Sequence, residues 1–477
     1  MPVSENETAM SRGRVPSYLR RQMSQFMSSL LCRRRRFAEA QLVLLQRNGS
    51  FSSFQIAFFS QYNRRRQRQL LCDMMSMLYY HYISYDMVHR PVTLFQQQPV
   101  DNPMEEFSCH RFYQLCGFWP DQFEEVSNNL LLIPERIHCN RTRCSATKSL
   151  ALFVLLRRWK KADGWDDVAH TVRRGRVWCI HIYRLIFSLL AWHYRRVVQV
   201  LDYRRIIPLL AEWSDEMVIN TGCTPDVIFF TDGKPWKTTR PGRGPTAQAL
   251  VTAAGGDNVN MMQQAYYNGH YGFCGAKVQH VLQADGMCYS FTCPLRRHDA
   301  SVLRSSSMMT MLSVLYINND QARPVKTVTD KAYGRTRHFR PLHTSLELRL
   351  LNDNEREAAE EEDSKNKGPR MGVELSFNNI VRKFTHTDYF ASHRLLQQGR
   401  SNWPYLRTLW DLQVLFYNLF TCAQGHGNPC NVMFGIAPPT VAEYLFSANN
   451  NRLIPMPFQD GEDDNFGVDD APLYYNI

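Results

Sequence analysis

The chain has 477 residues, of which 44% are hydrophobic, 12% aromatic and 21% charged, so wholesale disorder is excluded and two or three folded domains are expected. Fifty-six Lys and Arg residues against 44 Asp and Glu residues give a net charge of +12. This surplus favours a polyanionic partner, with nucleic acid ahead of an acidic membrane surface. Thirteen cysteines, odd in number and irregularly spaced without a secretory signal, exclude a disulfide scaffold and indicate a reducing compartment.

Residues 1–108 are predicted to form a basic, partly flexible arm. Arginine clusters occur at Arg33–Arg36 and Arg64–Arg68, between short apolar segments. Such clusters are typical of nuclear-import signals or of patches that bind the DNA backbone, and equally of a solvated arm. A nuclear location is expected.

Residues 109–222 are predicted to be helical. Ser145 is the expected N-cap of a helix over Lys148–Trp159, Trp165 to Val172 forms a short second helix, and a long helix runs from Val177 to about Arg195. His181, Arg184 and His193 interrupt the apolar stretch of the long helix, which favours a buried helix over a membrane span.

This pattern of helices is compatible with a helix-turn-helix module that binds DNA, although three packed helices with surface arginines are also common in proteins that do not. The basic residues predicted to contact DNA in this region are Lys148, Arg157, Arg158, Arg173, Arg174 and Arg176.

Residues 223–425 change to an α/β pattern. Val227–Phe230 is a continuous apolar run that predicts a buried strand, with Asp232 emerging where it ends. A hairpin with Asp285-Gly286 at its turn joins the next two strands, a helix covers 298–315, and a further strand ends at Asp330.

Glu374 lies on a helix that is predicted to begin after Pro369, beside the apolar stripe of Val373 and Phe377. The acidic segment 352–368 before it is predicted to be an exposed insertion, forming at most a short frayed helix. An amphipathic helix follows at about 405–420, and residues 426–477 are predicted to be an irregular tail.

Three carboxylates at two strand ends and on one helix suit a divalent-metal enzyme that acts on phosphodiester bonds. Two Mg²⁺ or Mn²⁺ ions about 4 Å apart would be bridged and flanked by Asp232, Asp330 and Glu374. One ion would activate water or a DNA 3′ hydroxyl, and the other would stabilise the leaving oxygen. Unpaired carboxylates have little other reason to cluster, because buried charge is costly.

Three strands, a helix and a strand, followed by a helical acid, is the layout of the ribonuclease-H-like fold. Over about 224–385 the sequence also resembles the DDE transposases of the PIF/Harbinger type and their domesticated relatives. The matching segments, in the order in which the family has them, are Phe230–Gly233, Gln264–Gly272, Ala284–Gly286, Arg296–Leu303, Thr329–Gly334 and Val373–Phe377.

The resemblance implies that Asp232 is the first catalytic aspartate, Asp330 the second, and Glu374 the glutamate. The pair His298-Asp299 also matches the family, so Asp299 competes with Asp330 for the second role; Asp330 is preferred because it ends a strand, whereas Asp299 would open a helix and could cap it. The chain departs from the family at Lys234 and Lys331, where small residues are usual. A lysine there could contact phosphate or weaken metal binding.

The expected activity is therefore that of a metal-dependent DNA endonuclease or transposase, with Lys237 and Arg240 holding the DNA backbone near the metals or forming an ordinary surface loop. The resemblance further implies a multimer and a Myb-like accessory protein. A domesticated DNA-binding protein without catalysis, and a nuclease of the same fold that acts on RNA or structured DNA, are the rival interpretations.

Overall fold

The computed structural model describes residues 98–139, 142–240, 264–298, 302, 306, 308–317, 325–389, 393–394, 396–397, 400–401, 403–425 and 429–450. The arginine clusters of the predicted N-terminal arm and Asp299 lie outside the described residues, as does the end of the chain after residue 450.

The helices of the described residues are α1 (Pro103–Glu106), α2 (Cys109–Cys116), α3 (Pro120–Asn129), α4 (Lys148–Lys160), α5 (Trp165–Val172), α6 (Arg176–Tyr194), α7 (Tyr203–Ile206), α8 (Leu210–Thr221), α9 (Met308–Ile317), α10 (Ser345–Leu350), α11 (Asp353–Lys383), α12 (Trp403–Gln424), α13 (Pro429–Phe434) and α14 (Val441–Asn449). Short 3₁₀ turns occupy Arg195–Val198, Ile207–Leu209 and Thr385–Thr387.

The strands are β1 (Arg136–Cys139), β2 (Cys144–Thr147), β3 (Val227–Lys237), β4 (Tyr267–Asn268), β5 (Phe273–Gln283), β6 (Cys288–Pro294), β7 (Lys326–Thr329), β8 (Phe339–Pro341), β9 (Leu396–Gln397) and β10 (Arg400–Ser401). The chain therefore has the mixed α/β character that the sequence predicts.

The predicted helices before residue 222 are confirmed as α4, α5 and α6, but the N-cap of α4 was wrong. Ser145 lies in β2, paired with His138, and Thr147 caps the helix by accepting a hydrogen bond from the Leu150 amide at 3.2 Å. A strand precedes the helix directly, so the capping hydroxyl must come from the last strand residue.

No helix in the described part of the chain combines the length and apolar character that crossing a bilayer requires.

A six-stranded mixed sheet forms the second half of the structure. Its strand order is β6–β5–β3–β7–β8, with the two residues of β4 paired to the start of β5. β5 is antiparallel to both β3 and β6, whereas β7 is parallel to β3 and β8 is parallel to β7. The antiparallel pairing of β5 with β6 confirms the predicted hairpin. Gly286 at its turn has φ +82°, a conformation that glycine adopts at little cost.

The first strand is longer than its apolar run predicts. β3 continues through Asp232 to Lys237, with nine consecutive residue pairs joining it to β5, so the expectation that Asp232 ends a strand was wrong. Its parallel neighbour β7 stops earlier, at Thr329, which pairs with Thr231. Antiparallel pairing to β5 keeps the polar half of β3 extended after the apolar run has ended.

The acidic segment 352–368 is not an insertion between elements. It forms the first half of α11, which continues without a break through Pro369 to Lys383. Proline removes one helical hydrogen bond, and tertiary contacts hold this turn: the Asn366 side-chain oxygen accepts hydrogen bonds from the Thr224 amide and hydroxyl, both at 3.1 Å. The expected exposure of the acidic side chains is largely confirmed.

The predicted irregular tail contains two helices, α13 and α14. Thr440 and Glu443 form a reciprocal capping box at the start of α14, and Val441, Tyr444 and Leu445 are buried. These side chains belong to one hydrophobic cluster of the described residues that extends from Val100 to Ala448. The helical first half and the sheet therefore share a continuous core.

Candidate active site

Asp232 lies on β3, one residue beyond the point where the parallel neighbour β7 ends. Its side chain is buried, and its register partner on β5 is His280. Successive residues of a strand point to opposite faces, so Asp232 shares a face with Lys234 and Phe230, while Thr231 points to the other side and contacts the Thr327 hydroxyl at 2.9 Å. The Oδ1 atom of Asp232 accepts a hydrogen bond from the Gly233 amide at 2.8 Å.

Helix α11 brings Glu374 to the same face of the sheet. Val373, Phe377 and Ile380 are buried against the core, which fixes the rotation of the helix. Gly372 permits a close approach: a Cβ atom at this position would lie 2.9 Å from Phe434 Cζ and 3.1 Å from Leu282 Cδ2. A glycine in a helix interior costs about 1 kcal/mol relative to alanine. Here it allows α11 to lie directly on β5 and α13.

Asp232 and Glu374 meet at two cationic side chains. The Lys234 ammonium lies 3.3 Å from Asp232 Oδ2 and 3.8 Å from Glu374 Oε2. The Arg370 guanidinium lies 2.9 Å from Glu374 Oε1 and 4.0 Å from Asp232 Oδ2. Two carboxylates and two cations therefore form a closed, charge-balanced cluster, which we call the carboxylate cluster.

Burial raises the pKa of Asp232, and the nearby Lys234 and Arg370 charges oppose that rise only in part. His280 beside it is fully buried, and its burial, with a contribution from Lys234, lowers its pKa to about 3. His280 is therefore neutral near pH 7 and does not compete for the carboxylate as a cation.

The tautomer of His280 follows from its contacts. The Ser376 hydroxyl donates to the Val373 carbonyl oxygen at 2.8 Å, so its oxygen accepts a hydrogen bond from His280 Nε2 at 2.9 Å. His280 Nδ1 is then an acceptor, and it has no hydrogen-bond partner in the described part of the chain. Ser376 thereby ties α11 to β5 two residues after Glu374.

Asp330 follows β7 directly, one residue beyond the pair Thr231 and Thr329. Its Oδ1 atom accepts a hydrogen bond from the Lys331 amide at 2.7 Å, and its carbonyl oxygen accepts one from the Tyr333 amide at 3.1 Å. Asp330 thus lies just after the strand adjacent to that of Asp232, and the carboxylate cluster itself contains Asp232 and Glu374. Among the described residues, no group of three or more His, Cys, Asp or Glu side chains is arranged to hold a metal ion.

His298 is exposed after the end of β6, and the neighbouring Asp299 is outside the described residues. The choice between Asp299 and Asp330 as the second acid therefore stays a prediction. Lys331 is exposed, whereas Lys234 belongs to the carboxylate cluster.

Most of the basic residues predicted to contact DNA in the helical region have acidic partners within the chain. Lys148 and Arg157 are buried, and they pair with Glu135 at 2.6 Å and with Asp163 at 2.8 Å. Arg173 pairs with Glu106 and Arg174 with Asp101. Arg158 lies over the Trp165 ring, 5.0 Å from its centroid, and donates to the Asp163 carbonyl oxygen.

Three of the predicted DNA contacts are exposed. The Arg176 side chain is 55% exposed and lies 3.3 Å from Asp166. Lys237 and Arg240 are exposed at and after the end of β3, and the Lys237 ammonium lies 5.7 Å from the centroid of the Phe273 ring. These three side chains are the most accessible of the predicted contacts to a nucleic acid backbone, whereas Arg173 and Arg174 are partly exposed beside their acidic partners.

Sequence reasoning missed Arg370, His280 and Ser376. Arg370 could have been found, because it precedes Glu374 by four residues and such pairs face each other along a helix. His280 and Ser376 come from separate elements, and only the pairing of β5 with β3 and the packing of α11 bring them together.

The chemistry of the donors fits Mg²⁺ or Mn²⁺, which prefer carboxylate oxygens and need few of them from the protein. In the arrangement described here those oxygens face an ammonium and a guanidinium. A divalent ion bound at Asp232 and Glu374 would therefore have to displace Lys234 and Arg370 from them.

Comparison with protein-family models, with curated proteins and with solved structures finds no match for this chain.

Proposed function

We propose that this protein is a metal-dependent DNA endonuclease of the DDE transposase type, which cuts phosphodiester bonds and joins freed 3′ ends to a target. The observation that carries the proposal is the convergence of Asp232 and Glu374, from distant parts of the chain, on the ammonium of Lys234. A buried carboxylate with a perturbed pKa beside a second carboxylate and two cations is a combination typical of functional sites.

The sheet supports the same proposal. Three antiparallel strands in the order β6–β5–β3 continue into the parallel pair β7–β8, which is the strand arrangement expected of a ribonuclease-H-like domain. In this arrangement Asp232 lies on β3, Asp330 directly follows the neighbouring strand β7, and Glu374 is carried by a helix packed on the sheet. We propose these three side chains as the metal ligands, with Asp299 as the competing second acid.

Bound divalent ions would activate the attacking hydroxyl and stabilise the leaving oxygen. The chain's own residues would do the rest. α11 orients Glu374 through its buried face, the Gly233 amide orients the Asp232 carboxylate, and Ser376 fixes the tautomer and orientation of the neutral His280 imidazole beside it. Lys234 and Arg370, once displaced from the carboxylates, would lie next to the incoming phosphate, whose negative charge suits them.

The proposal is tested by nicking of supercoiled plasmid DNA in Mg²⁺ or Mn²⁺ with the full-length protein. Asp232→Asn, Asp330→Asn and Glu374→Gln should each lower the nicking rate by about a hundredfold or more, because each removes a ligand. Glu360→Gln, an exposed carboxylate on the same helix as Glu374, is the matched control and should nick like the parent. Equal nicking by the parent and all three variants would reject the site.

The variant Asp299→Asn tests whether Asp299 or Asp330 is the second catalytic acid. Loss of nicking in Asp299→Asn but not in Asp330→Asn would transfer that role to Asp299 and leave the rest of the site in place.

A non-catalytic DNA-binding protein is the second candidate, and one observation favours it. Lys234 and Arg370 already neutralise both carboxylates of the cluster, so the fold has no electrostatic need for a metal ion. This candidate predicts DNA binding without nicking in any divalent metal, and no change in melting temperature when Mn²⁺ is added. Nicking that requires Asp232 would reject it.

A further inference from the structure

A compact group of aromatic and basic side chains lies at the far end of β3 from its apolar start. Tyr271 and Phe273 have ring centroids 5.7 Å apart, His270 lies 5.1 Å from Tyr271, and the Lys237 ammonium lies 5.7 Å from Phe273. We call these four residues the hairpin cluster. Tyr271 lies on the turn and is 38% exposed, and Tyr267 lies on β4 and is 45% exposed. Both rings therefore present a large aromatic surface to solvent.

The turn that carries these rings is held in place. The side-chain oxygen of Asn268 accepts a hydrogen bond from the His270 amide, and its backbone carbonyl oxygen accepts one from the Gly272 amide, both at 2.9 Å. Its side-chain amide donates to the Leu295 carbonyl oxygen at 3.3 Å, which ties the turn to the end of β6. Gly272 has φ +71°, as this tight turn requires. The exposed rings are therefore positioned before any ligand arrives.

The surroundings of the cluster are basic. Arg296 and Arg297 are exposed after β6, and the Arg296 amide contacts the Ala265 carbonyl oxygen of the segment that leads into β4. Exposed rings among lysine and arginine side chains are the combination that binds unpaired nucleotides: bases stack on the rings whatever their sequence, and the cations contact phosphates.

Lys237 is five residues from Asp232, about 17 Å along the strand, or roughly five stacked base steps. An odd separation also places the two side chains on opposite faces of β3. The hairpin cluster is thus too far from the carboxylate cluster to touch a reacting phosphate, but close enough to contact nucleotides that flank it.

We infer that the hairpin cluster, together with Tyr267 on β4, is a binding surface for single-stranded DNA, on which unpaired bases beside the cleaved bond stack against Tyr271 and Tyr267. The inference rests on the proposed function for the choice of DNA as the ligand. The binding itself needs neither metal nor catalysis.

The experiment measures fluorescence anisotropy of a labelled dT20 oligonucleotide and of a 20-base-pair duplex with the full-length protein in EDTA. Tyr271→Ala should weaken dT20 binding about fivefold or more and change duplex binding less than twofold, because loss of one stacked base costs that much. Tyr271→Phe keeps the ring and should bind dT20 like the parent. Phe446→Ala removes a ring that is 49% exposed on α14 and is the matched control.

Parent-like dT20 binding by Tyr271→Ala, or equal weakening for dT20 and duplex, would overturn the inference. Lys237→Ala should also flatten the salt dependence of dT20 binding, by about 0.7 in the slope of log affinity against log salt.

The nuclease proposal and the hairpin-cluster proposal can each be refuted without the other. A parent that nicks DNA, with Tyr271→Ala binding normally, refutes only the hairpin cluster, whereas ring-dependent dT20 binding without nicking refutes only the nuclease.

Discussion

Asp232 on β3 and Glu374 on α11 contact the same ammonium group, that of Lys234, at 3.3 and 3.8 Å. The two carboxylates are thereby held together by a side chain that a metal ion would have to replace. This single relationship links the electrostatics of the fold to the proposed chemistry, and the first predictions follow from it.

Lys234→Met should tighten Mn²⁺ binding about fivefold to tenfold, because the metal no longer displaces an ammonium whose ion pairs are worth about 1 kcal/mol. The rise in melting temperature with Mn²⁺ concentration measures this affinity. Lys365→Met, which removes an exposed lysine paired with Glu361 on α11, is the control and should leave the Mn²⁺ midpoint unchanged. Weaker Mn²⁺ binding by Lys234→Met would show that the lysine supports the metal site.

Asp232→Asn should raise the melting temperature in EDTA at pH 7.5. Burial raises the pKa of Asp232, so the folded protein favours the protonated acid, and the stability that this acid contributes is lost as pH rises through its folded pKa. The asparagine does not titrate, so its advantage should be large at pH 7.5 and small near pH 4. Melting curves at both pH values decide this; a less stable variant at pH 7.5 would mean that the ion pairs outweigh burial.

Gly372→Ala should destabilise the fold by about 1–3 kcal/mol despite the better helix propensity of alanine, because its methyl group would overlap Phe434 and Leu282. Gly368→Ala on the same helix is the matched control, because its added methyl group would meet no described atom within 4 Å. That variant should gain up to about 1 kcal/mol. Urea denaturation of both variants gives the comparison, and equal effects would contradict the close packing of α11.

Arg157→Ala should cost about 1–3 kcal/mol of stability, because it leaves Asp163 without its buried partner. Arg176→Ala should change stability by less than about 0.5 kcal/mol, since that side chain is largely exposed. If the predicted DNA contact at Arg176 is right, its loss should also lower the salt slope of duplex binding by about one. Duplex titrations at several salt concentrations test this, and an unchanged slope would remove Arg176 from the interface.

Much of the local structure could be read from the chain. The helices α5 and α6, the hairpin at Gly286 and the strand before Asp330 follow from hydrophobic periodicity and turn chemistry. The failures share a cause: β3 extends to Lys237 and α11 passes through Pro369 because distant partners, β5 and Thr224, supply hydrogen bonds that no local pattern contains.

The candidate site divides in the same way. The order of residues is enough to single out Asp232, Asp330 and Glu374 as candidates, because hydrophobic periodicity associates the two aspartates with strands and Glu374 with a helix. Only the folded chain decides that Lys234 and Arg370 stand between two of these acids, and that Lys148 and Arg157 are turned inward to acidic partners. Charge pairing depends on distances of a few ångströms between segments remote in sequence, and those distances are set by strand register and helix packing.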